Sequence, residues 1–72
     1  MDRHVGARVY QRRIALGYTQ SDLARELGIS FQQIHKYESA TSRIPSARLW
    51  SIARHLGVGI EHFFEGLPEG DH

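Results

Sequence analysis

Between Gly28 and Glu38 the chain reads GISFQQIHKYE. Wound as a helix at 100° per residue, this run sets Ile34 and Tyr37 on one face. Gln32, Gln33, His35 and Lys36 fall on the others, with Gln32 and Lys36 opposite Ile34. Glutamine can pair bidentately with the edge of adenine, and lysine can donate to O6 and N7 of guanine. The run therefore carries a side-chain set able to read bases. On an ordinary bundle helix the same side chains would simply be solvated, so the surrounding elements must decide between the two.

Other chemistry finds little support. No Ser/His/Asp or Cys/His arrangement is present, and Gly57 and Gly59 do not follow a strand, so no phosphate-binding loop is expected. The five histidines include no H-x-x-x-H or H-x-x-E-H spacing, and His55 and His62 fall in different predicted helices. No catalytic residue, metal ligand or cofactor is expected. A length of 72 residues allows one domain with a small core, for which oligomerisation is a source of extra stability. The absence of cysteine excludes disulfides and thiolate sites. No apolar run approaches the roughly 20 residues of a membrane span, and no signal peptide is visible. The cytoplasm is the expected compartment, with no membrane partner.

The net charge of +1 hides an uneven distribution. Residues 1–19 carry +3 and residues 20–38 carry −1. Residues 39–56 carry +3, from Arg43, Arg48 and Arg54 without an acid, and residues 57–72 carry −4. A basic body with an acidic end fits a polyanion partner; scattered solvated arginines fit it equally.

The pattern predicts five helices and no strand. The first spans about residues 2–16, with Val5, Val9, Ile14 and Leu16 as a loose apolar stripe and Gly17 as its stop. Thr19 and Asp22 have capping-box spacing and open a second helix, Gln20 to Leu27, with Leu23, Ala24 and Leu27 inward. Ser30 and Gln33 repeat that spacing at the start of a third helix, Phe31 to about Glu38. After a loop through Ile44-Pro45, Ser46 is expected to cap a fourth helix, Ala47 to Leu56, with Leu49, Ile52, Ala53 and Leu56 inward. A short fifth helix, about residues 60–64, supplies Ile60, Phe63 and Phe64. Residues 1–66 read as the domain, and residues 67–72 as a flexible acidic tail.

Helices two and three meet the local needs of a helix-turn-helix. Ala24 is small where the helices cross, Gly28 accepts a positive φ, and Leu23, Leu27, Ile29, Ile34 and Tyr37 supply a shared seam. In this frame YTQSDLA, LGIS, IHKYE and RIPS stand in order, and about residues 5–64 resemble the lambda-repressor-like, Cro/CI-type helix-turn-helix domains, also called the xenobiotic-response-element family. The resemblance implies an all-α, five-helix DNA-binding domain. It also implies a sequence-specific transcriptional regulator, repressor-like, that binds a pseudo-palindromic operator in double-stranded DNA as a homodimer.

Carried onto these residues, the resemblance puts base contacts at Phe31, Gln32, Gln33 and Lys36, with Gln32 and Lys36 first. Phe31 departs from the polar residue usual there; it can press on a thymine methyl or fold back on the protein. Gln33 is shared between base contact and its capping box, and His35 lies at the edge of the reading face. Gln20, at a helix N-terminus suited to an anion, is expected on a phosphate, as are Arg13, Tyr37 and the loop Thr41–Ser42–Arg43. The family pattern implies an ion pair between Arg13 and Glu38 that orients the arginine towards the DNA backbone. Tyr37 should bury its ring with the hydroxyl outward. Ala40 stands where glycine or asparagine is frequent, and Gly59 replaces a usual cap. The family's fifth helix lies near the two-fold axis, so Val58, Phe63, Phe64 and Leu67 are expected at a dimer interface. The alternative is an antitoxin-type or other protein-interaction module that binds DNA secondarily.

Overall fold

A computed structural model describes residues 2–67. The predicted tail falls largely on residues 68–72, outside the described residues. Four α-helices are followed by one turn of 3-10 helix: α1 (Asp2–Ala15), α2 (Gln20–Leu27), α3 (Phe31–Glu38), α4 (Ser46–His55) and the 3-10 segment Ile60–Phe64. α2 packs on α3, α1 lies across α3 and the 3-10 segment, and α4 closes against α2 and that segment.

The capping chemistry fixes where α2 and α3 begin. The Thr19 hydroxyl accepts from the Asp22 N–H at 2.9 Å, and the Asp22 carboxylate accepts from the Thr19 N–H at 2.9 Å, a complete capping box. At α3 the Ser30 hydroxyl accepts from the Gln33 N–H at 3.2 Å. The Gln33 side chain makes no return bond among the described residues, so only half of that box forms and the amide stays available. The turn between the helices closes at Gly28, φ +70°, where Ile29 N–H donates to Ala24 O at 3.0 Å and Gly28 N–H to Arg25 O at 3.3 Å. α3 ends in the same pattern: Thr41 N–H donates to Lys36 O at 2.9 Å and Ala40 N–H to Tyr37 O at 3.2 Å. Here Ala40 holds the left-handed position, φ +61°, that glycine usually fills.

One expectation about a helix end is corrected. Ser46 is the first residue of α4 rather than its cap; Pro45 precedes it and no side chain caps the helix. The fifth helix is a 3-10 turn, with Gly59 before it supplying no side-chain cap.

The core consists of Val5, Val9, Leu23, Ala24, Ile34, Tyr37, Leu49, Ile52, Ala53, Leu56 and Phe63. The inward row of α1 differs from the predicted stripe. It runs Val5, Gly6, Val9 and Arg13, whereas Ile14 is 51% and Leu16 38% exposed. Spacing of four from Val5 leads through Val9 to Arg13, and the arginine can hold an inward place because it has an acidic partner there. Gly6 permits the close crossing of α1 over the end of α3: a Cβ at this position would meet the carbonyl oxygens of Tyr37 and Glu38 at 2.6 and 2.7 Å. Among the described residues no helix is long and apolar enough to cross a membrane.

Candidate nucleic-acid interface

α3 is held by its buried side and offers the other to solvent. Ile34 and Tyr37 are 1% and 6% exposed, while Phe31, Gln32, His35 and Lys36 are exposed and Gln33 is half-buried. Phe31, 50% exposed, stands out from the first turn of α3 rather than joining the core. Lys36 takes part in no ion pair among the described residues. The outward row therefore combines one aromatic face, two amides and one ammonium.

The end of α3 is bolted to α1 and α2 through Glu38. Arg13 Nε donates to Glu38 Oε2 at 2.6 Å and Arg13 Nη2 to Oε1 at 3.0 Å, a bidentate pair whose side chains are both 5% exposed. Gln20 Nε2 adds a third bond to Oε1 at 3.1 Å. Arg13 Nη1 donates to the carbonyl of Tyr18 at 2.7 Å, and the Tyr10 ring lies 5.3 Å from the guanidinium. The hydrogen-bonded Glu38 carboxylate holds the guanidinium pKa above even its usual high value. One carboxylate thus joins the last turn of α1, the first turn of α2 and the last turn of α3.

The ion pair expected between Arg13 and Glu38 is present. The guanidinium is buried and bonded to Glu38 and Tyr18, so it orients the helices. Gln20 sits at the start of α2 as expected, half-buried, with its amide N–H on Glu38. Tyr37 has its ring in the core and borders a groove beside Ser42 and Arg43. In the following loop Thr41 is exposed, its hydroxyl 2.9 Å from that of Ser39, and Ser42 is half-buried. The Arg43 side chain is 83% exposed and touches Asp2 at 3.4 Å, an exposed contact that holds it weakly.

The basic charge of α1 also has a structural use that the sequence reading missed. Arg8 donates to the carbonyl of His62 at 2.9 and 3.1 Å and to Glu65 Oε1 at 3.1 Å. Arg12 Nε donates to the Leu56 carbonyl at 2.9 Å, closing the end of α4. With Arg13, three of the four arginines in residues 1–19 bind carbonyls or acids within the fold. The cations left outward near α3 are Lys36 and Arg43. A cue for Gly6 was available, since it interrupts a predicted helix beside an inward valine; nothing local marked Arg8 or Arg12.

The residues expected at a dimer interface divide. Phe63 is 0% exposed and belongs to the core, so it has no surface to share; this expectation is corrected, because the 3-10 turn aims it inward. Val58, Phe64 and Leu67 are half-buried, and Val58 and Phe64 pack against the core. The most exposed large apolar side chain is instead Trp50, 54% exposed on α4. Among the described residues no group of three or more His, Asp or Glu is placed to hold a metal.

A capped helix, a glycine turn and a second helix anchored by one face, inside four α-helices and a terminal turn, define a lambda-repressor-like helix-turn-helix domain. The chain belongs to the helix-turn-helix family, whose model matches residues 9–63. It is 54% identical over 71 residues to an uncharacterized transcriptional regulator in the ATPase CF(0) region of Rhodospirillum rubrum, covering 99% of this chain and 66% of that protein. It is 47% identical over 68 residues to an uncharacterized helix-turn-helix-type transcriptional regulator of Sinorhizobium medicae, covering 94% and 49%. The chain thus spans about half to two thirds of the length of these relatives. The structure is similar to that of SinR, the master regulator for biofilm formation, in complex with DNA. The TM-score is 0.76 at 26% identity, covering 85% of this chain and 98% of that one. It also resembles a SinR/SinI protein complex, with a TM-score of 0.75 at 25% identity over 86% of this chain and 61% of that one.

Proposed function

We propose that the chain is the DNA-binding unit of a sequence-specific transcriptional regulator, repressor-like, acting in the cytoplasm. It inserts α3 into the major groove as one half of a homodimer on a pseudo-palindromic operator. One observation carries this reading: α3 is anchored through Ile34, Tyr37 and Glu38 and leaves Phe31, Gln32 and Lys36 outward with no structural partner. Gln32 and Lys36 are the principal base readers, Gln33 contributes its unbonded amide, and Phe31 meets an apolar base edge such as a thymine methyl. Gln20 at the start of α2, with Tyr37, Thr41, Ser42 and Arg43, contacts the sugar-phosphate backbone and sets register. Likeness to the DNA-bound SinR structure supports this arrangement.

Selection of bound sequences from a random DNA pool, with stoichiometry measured on the winners, tests the reading. The expected result is enrichment of two-fold-related half-sites about one DNA turn apart, roughly 34 Å, with two chains per site. Binding that depends on salt but enriches no sequence would overturn it. A second reading, a module that works mainly through a protein partner, draws support from the SinR/SinI complex. A selected protein partner that displaces DNA, or no DNA binding at all, would favour it.

A further inference from the structure

A groove of about 590 Å³ opens beside the loop that follows α3. That volume lies within the roughly 300–1,000 Å³ of small-molecule sites. Its floor is apolar: the buried Val5, Tyr37 ring and Leu49, with the half-buried Ile44 and Phe64. Its rim is polar and more exposed, and is formed by Asp2, Ser42, Arg43 and Ser46. At the rim Arg43 Nε meets Asp2 Oδ2 at 3.4 Å, an exposed pair that exchanges readily for other partners. The hydroxyls of Tyr37 and Ser42 have no hydrogen-bond partner among the described residues. No buried polar side-chain atom there lacks a partner, so both hydroxyls are open to solvent. α4 begins at Ser46 without a side-chain cap, so its first N–H groups are also free for a ligand.

We propose that this groove binds a free amino acid with a large apolar side chain. Charge complementarity identifies the occupant. One cation and one anion stand side by side above an apolar floor. An anion alone would draw Arg43 from Asp2 and leave that carboxylate facing a like charge. A cation alone would strand Arg43 in the same way. A zwitterion satisfies both: its carboxylate takes Arg43 and the first amides of α4, and its ammonium takes Asp2. Its side chain then covers Val5, Leu49 and Phe64, which offer no polar group. A peptide carries the two charges at opposite ends, so a single amino acid fits the paired rim. The consequence for DNA rests on the functional reading, in which Tyr37, Ser42 and Arg43 contact the backbone. A ligand that engages Arg43 withdraws it from phosphate, so the amino acid weakens operator binding, and DNA weakens amino-acid binding by the same factor. Phe31, Gln32, Gln33 and Lys36 do not line the groove, so the ligand changes affinity and leaves the preferred sequence as it is.

The test is an NMR titration of the 72-residue chain with L-phenylalanine, L-leucine and L-tryptophan, reading the amides of Ser42, Arg43, Ile44 and Ser46. The expected result is a saturable shift of these amides. Phenylpropionate, which lacks the ammonium, and phenethylamine, which lacks the carboxylate, should each bind about tenfold more weakly than L-phenylalanine, the loss of one charged contact. Arg43→Gln and Asp2→Asn should weaken L-phenylalanine to a similar degree. Both residues are exposed, so circular dichroism should report native folding in each variant. No saturable shift with any of the three amino acids, or equal affinity for L-phenylalanine and phenylpropionate, would overturn the proposal. Fluorescence anisotropy on the selected operator tests the coupling. Saturating L-phenylalanine should weaken operator binding of the wild type and leave that of Arg43→Gln unchanged; a wild-type affinity that does not move would overturn the coupling. Saturable amino-acid binding by a chain that binds no DNA leaves the groove standing and removes the DNA reading, whereas operator binding without amino-acid binding removes the groove and leaves the DNA reading.

Discussion

Gly6→Ala sets two opposing effects against each other. In an isolated helix alanine is favoured over glycine by about 1 kcal/mol. At this crossing, however, the added Cβ would lie 2.6 Å from Tyr37 O, 2.7 Å from Glu38 O and 3.1 Å from Glu38 C. These are backbone atoms in the last turn of α3, so no side chain can swing aside. Restoring ordinary contact requires α1 and α3 to separate by roughly 0.7 Å. That movement loosens Val5 and Val9 in the core and stretches the Arg13–Glu38 bonds, which stand at 2.6 and 3.0 Å. Overpacking of this kind costs about 1–3 kcal/mol, and the stretched buried pair adds to it. We expect a net loss of about 1–2 kcal/mol after the helix-propensity gain. For a domain of this size that is a fall in Tm of roughly 4–16 °C. Urea and thermal denaturation followed by circular dichroism at 222 nm measure it, with exposed Ala7→Gly as a propensity control. A Gly6→Ala chain as stable as wild type would refute the argument that backbone approach selects glycine here.

Further outcomes follow from the same contacts. Glu38→Gln leaves the Arg13 guanidinium buried without its counter-ion and should cost about 3–5 kcal/mol in urea denaturation, with Arg13→Met/Glu38→Leu recovering much of it; a loss below about 1 kcal/mol would place the pair in the surface class. Ala40→Gly relieves a left-handed alanine and should raise stability by about 0.5–1 kcal/mol, the strain released less the added chain entropy; a lower Tm would contradict it. Asp22 has its folded pKa lowered from 3.8, first by the Thr19 backbone N–H, then by the Thr19 hydroxyl. Its contribution is therefore present above the unfolded value and lost as pH falls through the lower folded value. The stability difference between wild type and Asp22→Asn should shrink once pH falls below about 3.8 and vanish only below the lower folded value; a difference unchanged down to pH 2 would contradict it. Lys36→Ala should cost about 1–3 kcal/mol on the selected site and relax one base position, whereas Arg43→Ala should weaken all sequences alike and flatten the salt dependence; identical profiles for the two would remove the division between base and backbone contact.

The sequence by itself determined what depends on neighbours along the chain. Thr19 with Asp22, Ser30 before Phe31, and Gly28 after Leu27 mark helix ends through bonds that span three to five residues, so the limits of α2 and α3 were legible. The seam of Leu23, Ala24, Ile34 and Tyr37 was legible for the same reason, since helical periodicity fixes which residues share a face. The outward row of α3 followed by subtraction. Only the tertiary structure decided what depends on residues distant in sequence. Arg13, 25 positions from Glu38, is an inward residue because a carboxylate waits there, and Arg8 and Arg12 reach carbonyls 54 and 44 positions away. Read locally, Arg8 and Arg12 looked like free positive charge, and the Arg13–Glu38 pair was expected only through the family resemblance. Phe63, expected at a shared surface, is turned into the core by the 3-10 segment that carries it. A charge or an aromatic ring is named by the sequence, but whether it faces water, a partner or the core is set by which distant backbone passes beside it.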